Sequence, residues 1–459
     1  MPSRRRALSG WGRSNATVAQ VFEVPNHELA AVMDAAGPRG VLARGLGRSY
    51  GDAAQNSGGL VVCLLGAGHQ SVLDPIQGRV TVPAGVSIDD LLRVIVPRGF
   101  FVPVTPGTRY VTIGGAIASD IHGKNHHVEG SFGNHVIALT LRMADGSTTV
   151  VGPDSAPDLF WATVGGMGLT GIILEATIGL IRIETSMMSV DTNRIPDLDS
   201  LLAAMSEGDD DYRYSVAWID PQAKGASMGR SVLTRGDHAV VDQLGAHAAR
   251  SPLAYDSKQM ISMPPLVPPM GFINHTTAAA FNEMWYRKAP RRRVGELHSI
   301  AGFFHPLDMV GKWNRVYGRA GLIQYQFVVP FGEEDTMRRV IERLSISGAA
   351  SFLAVLKRFG PGNPAPLSFP TQGWTLAVDV PGGGPGLAEL FVELDRMVLA
   401  AGGRHYAAKD ALITPETMRR GYPRLAEWQA VRSRADPRCV WQSDLARRLR
   451  LLDRPEDIA

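Results

Sequence analysis

Apolar and polar positions alternate over short stretches in the first part of the chain. Residues 28–36 (ELAAVMDAA) follow a turn at Pro25-Asn26 and carry helical spacing. Val41–Arg44, Leu60–Leu65 and Arg79–Val82 are brief apolar runs of strand length. Ser87–Val96 has helical periodicity, with Ser87 placed as N-cap ahead of Asp89 and Asp90. Val136–Met143 and Thr148–Val151 predict a hairpin about Asp145-Gly146, Asp158–Ala162 a short helix and Ile172–Ile183 a strand.

Near residue 186 the pattern changes. Met187–Asp191, Tyr212–Ile219, Leu322–Val329 and Ala350–Lys357 predict an antiparallel sheet, with helices near 336–346 and 386–401 to cover it. Gly402–Leu452 holds a strand-like piece, Tyr406-Ala407-Ala408, and two basic helices. Met260–Ile273 (MISMPPLVPPMGFI) is apolar yet carries four prolines, which excludes a helix or a central strand. Arg287, Lys288, Arg291, Arg292 and Arg293 follow it. The segment reads as an irregular surface loop or as a lid with an apolar face and a cationic flank.

Composition narrows the classes. With 459 residues the chain exceeds one simple core, so two domains are expected. Lys plus Arg number 47 against 44 Asp plus Glu, a net charge of +3 that gives no footprint for nucleic acid. Cys63 and Cys439 allow no disulfide framework beyond one bridge and no zinc site. No run approaches the ~18 apolar residues of a membrane span. The start, MPSRRRALSGWG, is basic without the apolar stretch of a secretory signal. The expected location is inside the cell or on a membrane surface.

Candidate chemistry lies in three glycine clusters. Glycine lets backbone approach a ligand closely, and successive free N–H groups make an anion-binding concavity. Gly45-x-Gly47-x-x-x-Gly51 is neither the G-x-G-x-x-G dinucleotide fingerprint nor a P-loop, and alone it reads equally as an ordinary turn. Pro106-Gly107-Thr108 followed by Thr112–Lys124 (TIGGAIASDIHGK) is more telling. Small residues from 114 to 119 suit backbone lying on a long flat ligand, and Asp120, His122 and Lys124 add polar groups at one end. Gly165-Gly166-Met167-Gly168 is the third cluster. His122, His126, His127 and His135 lack a completing thiolate or carboxylate, so no metal is expected. No G-x-S-x-G elbow supports serine hydrolysis.

Taken together, Arg44–Asp52, the Pro-Gly-Thr and Thr-Ile-Gly-Gly-Ala-Ile-Ala-Ser-Asp-Ile-His-Gly-Lys runs, and Gly165–Gly171 resemble the FAD domain of the vanillyl-alcohol-oxidase family. His305–Met309, Gln324–Phe327, Ala365–Pro370 and Ala408-Lys409-Asp410 extend the likeness over nearly the whole chain, toward members acting on polyprenyl-phosphate-linked sugars. The resemblance implies an α+β fold: a two-subdomain FAD-binding domain of the PCMH type, plus an α+β substrate domain with an antiparallel sheet. The expected division is 1–185 for FAD, 186–402 for substrate, and 403–459 returning to the FAD domain. It implies FAD contacts from Ala43, Arg44, Gly45, Leu46, Gly47, Arg48, Ser49, Tyr50, Gly51 and Asp52 in the first loop. Gly107, Thr112, Ile113, Gly114, Gly115, Ser119, Asp120, Ile121 and His122 supply the second set, with Ile173 and Tyr406 beyond. Many members bind FAD covalently through a histidine where this chain has Arg48, which cannot form that bond, so non-covalent FAD is expected.

The implied reaction is oxidation of the C2 hydroxyl of a polyprenyl-phosphate-linked ribose to the 2-keto sugar, an NAD-dependent keto-reductase then completing epimerisation to arabinose. Lys409 matches the family's functional lysine, with a salt bridge to Asp410 as the structural alternative. It serves as base if desolvation lowers its pKa, or as a cation stabilising the alkoxide or reduced flavin. Tyr50 and His122 are its expected helpers, although Tyr50 also reads as a structural tyrosine. Lys124, Trp218, Gln326, Lys357 and Thr375 match the substrate cavity, with Trp218 either stacking on the sugar or filling core. Close relatives carry Asn-Ile-Cys where this chain has Thr375-Leu376-Ala377, and a tyrosine at Phe304. Two other readings stay open: an oxidase of a free sugar, polyol or sugar lactone, and a non-catalytic polyprenyl-phosphate carrier. A peripheral membrane location accompanies the lipid-linked reading.

Overall fold

A computed structural model describes residues 3–64, 71–264 and 266–452. Leu65, the expected end of the second strand, and Pro265 in the proline-rich segment lie outside the described residues. The N-terminal unit is a four-stranded sheet in the order Ser3–Ser9, Ala16–Phe22, Leu60–Cys63, Val41–Arg44. Its first two strands form an antiparallel hairpin; the others run parallel. Helix Leu29–Asp34 buries Leu29, Val32 and Met33 against this sheet, shorter than the 28–36 expected. The C-terminal segment closes the same core: Val41 N–H donates to Val440 O at 2.7 Å, and Trp441 is fully buried.

A five-stranded antiparallel sheet follows, ordered Val72–Asp74, Arg79–Pro83, Ile172–Gly179, Val136–Arg142, Thr148–Val151. Helix Ile88–Ile95 lays Ile88, Leu91, Leu92 and Ile95 into its core, one stripe at helical spacing. Ser87 caps it, accepting from Asp90 N–H at 3.1 Å. The expected hairpin about Asp145-Gly146 is present. The strand expected over 172–183 breaks after Gly179, because Ile181–Arg182 pairs instead with Phe100–Phe101.

The third unit is an eight-stranded sheet whose successive members are 292–299, 187–195, 231–238, 214–219, 354–359, 373–381, 322–329 and 404–405. Strand Leu322–Val329 (LIQYQFVV) shows how it is faced. Tyr325, Phe327 and Val329 point into a core with helices Leu198–Gly208, Glu334–Ser347 and Leu387–Ala400, while Gln324 and Gln326 point the other way. On the covered face Leu376, Val378, Leu344 and Leu394 are buried, each contributing about 1.5–3 kcal/mol by removal from water. The open face looks toward the glycine loops. The strand expected at Tyr406–Ala408 is displaced: the pairing residues are Arg404–His405, and 406–408 enter a turn in which Lys409 and Asp410 N–H donate to Tyr406 O. Residues 3–9, 16–22, 231–238 and 292–299 form strands that hydropathy did not announce. In the first of these Arg4, Arg5 and Arg6 are all exposed, so it has no apolar face to read.

The described residues of the proline-rich segment form no helix. Its only pairing among the described residues is a two-residue parallel bridge, Ile261–Ser262 with Val310–Gly311. Leu266 and Met270 are 89% and 90% exposed. Arg287 and Lys288 end helix His275–Lys288, and Arg292 and Arg293 begin an edge strand.

Candidate active site

A cavity of about 810 Å³ runs between the glycine loops and the open face of the eight-stranded sheet. Residues 43–50 form one wall, and Gly107, Thr112, Gly114, Gly115, Ser119, Ile121 and His122 form the next. Ile173 and Tyr406 also line it. The loops approach so closely that a Cβ on Gly45 would run into the Thr112 hydroxyl, and one on Gly51 into the Asp410 carbonyl. Gly51 therefore holds the loop against the C-terminal segment and does not face the cavity.

Three further expected cofactor residues lie behind the wall. Asp52 pairs with Arg448 at 2.7 Å, and Ile113 is core. Asp120 spends its carboxylate on protein donors: Ser131 Oγ at 2.8 Å, Gly133 N–H at 2.9 Å, Asn363 Nδ2 at 2.8 Å and Ser368 Oγ at 2.5 Å. It ties the second glycine loop to the 363–368 segment from a left-handed backbone, φ 38°.

The cradle fits an extended dinucleotide. The N–H groups of Leu46, Gly47, Arg48 and Ser49 donate to no protein acceptor among the described residues. A Cβ placed on Gly107 or Gly168 would meet nothing within 4 Å, so open space lies against both. Free amides suit a pyrophosphate, and flat backbone suits a ring system. Arg48 stacks its guanidinium 4.0 Å over Trp11, at the position where a covalent link would need an imidazole.

Lys409 stands at the junction of the three units. Its ammonium lies 4.0 Å over the Tyr50 ring, and Tyr50 N–H donates to Ala408 O at 3.0 Å. The alternative partner, Asp410, is taken: it receives Arg448 at 2.8 Å and the N–H groups of Leu412 and Ile413. Burial pushes the Lys409 amine down to about 8, with the Asp379 carboxylate acting in the opposite sense. Burial raises the Tyr50 phenol well above its ordinary value, so it stays neutral.

On the sheet face, His122 bridges the second glycine loop to strands 322–329 and 354–359. Its Nδ1 is 3.0 Å from Lys357 Nζ and its Nε2 is 2.9 Å from the Gln326 amide. Burial, then Lys357, keeps His122 well below its usual pKa and therefore neutral. One ring nitrogen then accepts and the other donates. The Gln326 Nε2–H donates to His122 Nε2, which leaves the ring proton on Nδ1 facing Lys357 Nζ, an arrangement open to Lys357 as the neutral amine. Burial alone brings Lys124 down to about 7, its Nζ held 2.5 Å from Phe303 O. Lys357 also falls to about 7, by burial and then by Lys124 and Lys409. Three desolvated amines thus share one cavity, an arrangement that becomes favourable when an anion enters.

Trp218 lines the cavity with its Nε1–H on Phe352 O at 3.0 Å. Thr375 does not line it: its hydroxyl donates to Phe327 O at 2.8 Å, and Ala377, two residues on, is exposed to the cavity instead. Phe304 is packed edge-on to Tyr214 at 4.8 Å. Gln324, Trp313, Phe281 and Trp285 also line the cavity and escaped the sequence reading. The period of two in 322–329 could have found Gln324, which shares a face with Gln326. Among the described residues no three His, Cys, Asp or Glu converge as metal ligands. His127 binds the carbonyls of Asp209 and Tyr212, and His135 that of Glu129.

Comparison with known proteins agrees with the cradle. The FAD binding domain family matches residues 23–152, and the D-arabinono-1,4-lactone oxidase family matches residues 380–449. Decaprenylphosphoryl-beta-D-ribose oxidase of Mycolicibacterium smegmatis is 48% identical over 459 residues, covering 98% of this chain and 99% of that protein. A Streptomyces coelicolor protein of uncharacterised function is 39% identical over 80% of this chain and its own full length. Mouse L-gulonolactone oxidase is 32% identical over 28% of this chain and 30% of its own length.

Proposed function

This chain belongs to the family of FAD-dependent oxidases that includes decaprenylphosphoryl-β-D-ribose oxidase, and on that premise we propose that it oxidises the C2 hydroxyl of a polyprenyl-phosphate-linked ribose to the 2-keto sugar. The observation that carries the reading is one cavity in which the glycine cradle, Lys409 over Tyr50, and the lysines 124 and 357 converge. Bound FAD, held without a covalent link beside Arg48, supplies a two-electron acceptor for the hydride. The protein has three tasks around it. Lys409 takes the hydroxyl proton in its neutral form, or donates to the alkoxide in its charged form, and an amine near 8 has access to both. His122, fixed between Lys357 and Gln326, orients the hydroxyl without carrying charge. Lys124 and Lys357 meet the phosphate, and its negative charge favours their protonated forms.

The aromatic wall supports a lipid-linked substrate. Phe281 and Trp285 stack at 5.9 Å in the cavity lining; in the segment before their helix Met260, Leu266, Met270 and Phe272 are exposed, and the cationic residues Arg291–Arg293 follow it. An apolar strap with a basic flank suits the tail of the substrate and an anionic membrane surface, a peripheral location. No helix among the described residues is long and apolar enough to cross a membrane. The 2-keto product requires a hydride donor to reach the epimeric arabinose, which makes an NAD-dependent keto-reductase the functional partner. The proposed division of the chain is 1–185 and 403–459 around FAD, with 186–402 over the substrate.

The test is anaerobic absorbance of the holoenzyme. Decaprenylphosphoryl-ribose is expected to bleach the oxidised-flavin bands while free ribose does not. Bleaching only by free sugars or lactones would replace this reading with the small-substrate oxidase that the lactone-oxidase match favours. Phosphate-dependent lipid binding with no bleaching by any of them would indicate a carrier.

A further inference from the structure

Strands Leu322–Val329 and Gly373–Pro381 pair so that Gln324 stands opposite Asp379, on the cavity face of the sheet and beside the opposed pair Gln326 and Ala377. Asp379 has no solvent exposure. Its Oδ1 accepts from the Gln324 side-chain amide, while its Oδ2 is buried with no hydrogen-bond partner among the described residues. A carboxylate buried with one oxygen empty is costly unless a cation compensates it. No salt bridge joins Asp379 to a cation within 4.0 Å among the described residues, so any compensation acts across the site. Two tyrosines near it offer none: the Tyr317 hydroxyl is itself buried without a partner, and Tyr50 is neutral.

Gln324, which holds Asp379, lines the same cavity as Lys409, whose ammonium lies 4.0 Å over the Tyr50 ring. Lys409 is the cation that acts on Asp379, and Asp379 the carboxylate that acts on Lys409. The other nearby carboxylate, Asp410, is spent on Arg448. The other groups of the cavity do not hold Lys409 charged: the like charge of Lys409 lowers Lys357, and His122 is neutral. Lys124 acts on Lys357, and Arg48 acts on Tyr50.

We propose that Asp379 is the positioning residue that sets the charge of Lys409, with the Gln324 amide favouring the ionised form of the carboxylate. Gln324 reaches the cavity, whereas Asp379 does not line it, so Asp379 acts through the lysine and never on the substrate. The lysine is thereby kept exchangeable: without the carboxylate, burial would hold it neutral to lower pH and weaken its grip on a proton it had accepted. The opposing burial effects leave each group of the pair displaced toward neutrality, Asp379 upward to about 7 and Lys409 downward. This inference rests on reading Lys409 as the amine at the reacting hydroxyl, but its test needs no substrate.

In the FAD-loaded protein, the pH dependence of Lys409 acylation by a small amine-reactive reagent, followed by peptide mass spectrometry, reports the lysine directly. Asp379→Asn is expected to lower the pH of half-maximal reactivity by about one unit, the size expected for loss of one nearby opposite charge. Asp379→Glu, which keeps the charge, should leave it close to wild type. Gln324→Met removes the donor that favours the ionised form of Asp379 and should shift the midpoint the same way by less. The limb of the kcat pH profile that reports Lys409 should move to lower pH in parallel, whether the neutral or the charged lysine is the active form. An unchanged or raised midpoint in Asp379→Asn with FAD retained overturns the proposal. If that variant loses FAD, an unchanged midpoint in Gln324→Met overturns it. Failure of the substrate assignment would appear as absent flavin bleaching and leave these titrations unaltered.

Discussion

Replacing Lys409 by methionine removes the amine while preserving most of the side-chain volume. The surrounding backbone does not depend on that amine: Lys409 N–H still reaches Tyr406 O at 2.9 Å, and Tyr50 N–H still reaches Ala408 O at 3.0 Å. No salt bridge is lost, because Asp410 already belongs to Arg448. The cation–π contact with Tyr50, worth about 0.5–2 kcal/mol, disappears, but so does the desolvation of an ammonium. The two changes offset, and Asp379, left without its cation, is expected to take up a proton instead of staying buried and charged. FAD content should therefore stay near wild type, while stability falls as pH rises through the raised Asp379 range. Catalysis should not. Loss of a positioned proton acceptor reduces rate by about 10²–10⁴-fold, or about 3–5 kcal/mol of barrier. The assay is stopped-flow reduction of the bound flavin by decaprenylphosphoryl-ribose without oxygen, with the pre-reaction spectrum as the control for FAD. Flavin reduction in Lys409→Met within threefold of wild type, with FAD bound, would refute the role given to this lysine.

Three other outcomes follow from particular contacts. Asp120→Ala strips four donors of one buried acceptor and should cost on the order of 2–4 kcal/mol in thermal unfolding, with FAD lost as a consequence. A ligand-free protein should gain stability from about pH 7 toward pH 10. Lys124, Lys357 and Lys409 titrate at about 7, 7 and 8 when folded against an ordinary 10.5, so the unfolded chain binds more protons across that window; Lys357→Met should flatten the rise in denaturant midpoints. Changing Arg291, Arg292 and Arg293 together to alanine should weaken co-sedimentation with anionic vesicles, at about 1 kcal/mol per arginine near the surface. Vesicle binding that is unaffected by this change and by salt would remove the membrane-facing role of that edge.

The local periods of the chain carried much of the fold. The alternation in Leu322–Val329, the helical stripes of 334–347 and 387–400, the Ser87 cap and the Asp145-Gly146 hairpin all depend on neighbours a few residues away, and each element stands where its period placed it. The glycines of 45–51 and 112–119 likewise marked backbone that needs close approach. What the sequence could not decide were pairings that no apolar pattern marks and partners far apart in the chain. Ser3–Ser9 became a strand because Ala16–Phe22 pairs with it, not because its arginines alternate. Thr375 stands on the cavity face of its strand, yet the Phe327 carbonyl claims its hydroxyl, leaving Ala377 to line the cavity. Asp120 and Asp52 sit in glycine-rich runs that read as ligand contacts, but distant donors occupy both carboxylates. Lys409 has Asp410 beside it in sequence and Asp379 acting on it in space. Side-chain period is set by bond geometry along one segment, so it can be read from that segment. The charge and hydrogen-bond partners of a buried group come from whichever strands the tertiary fold lays against it, and only the folded chain settles them.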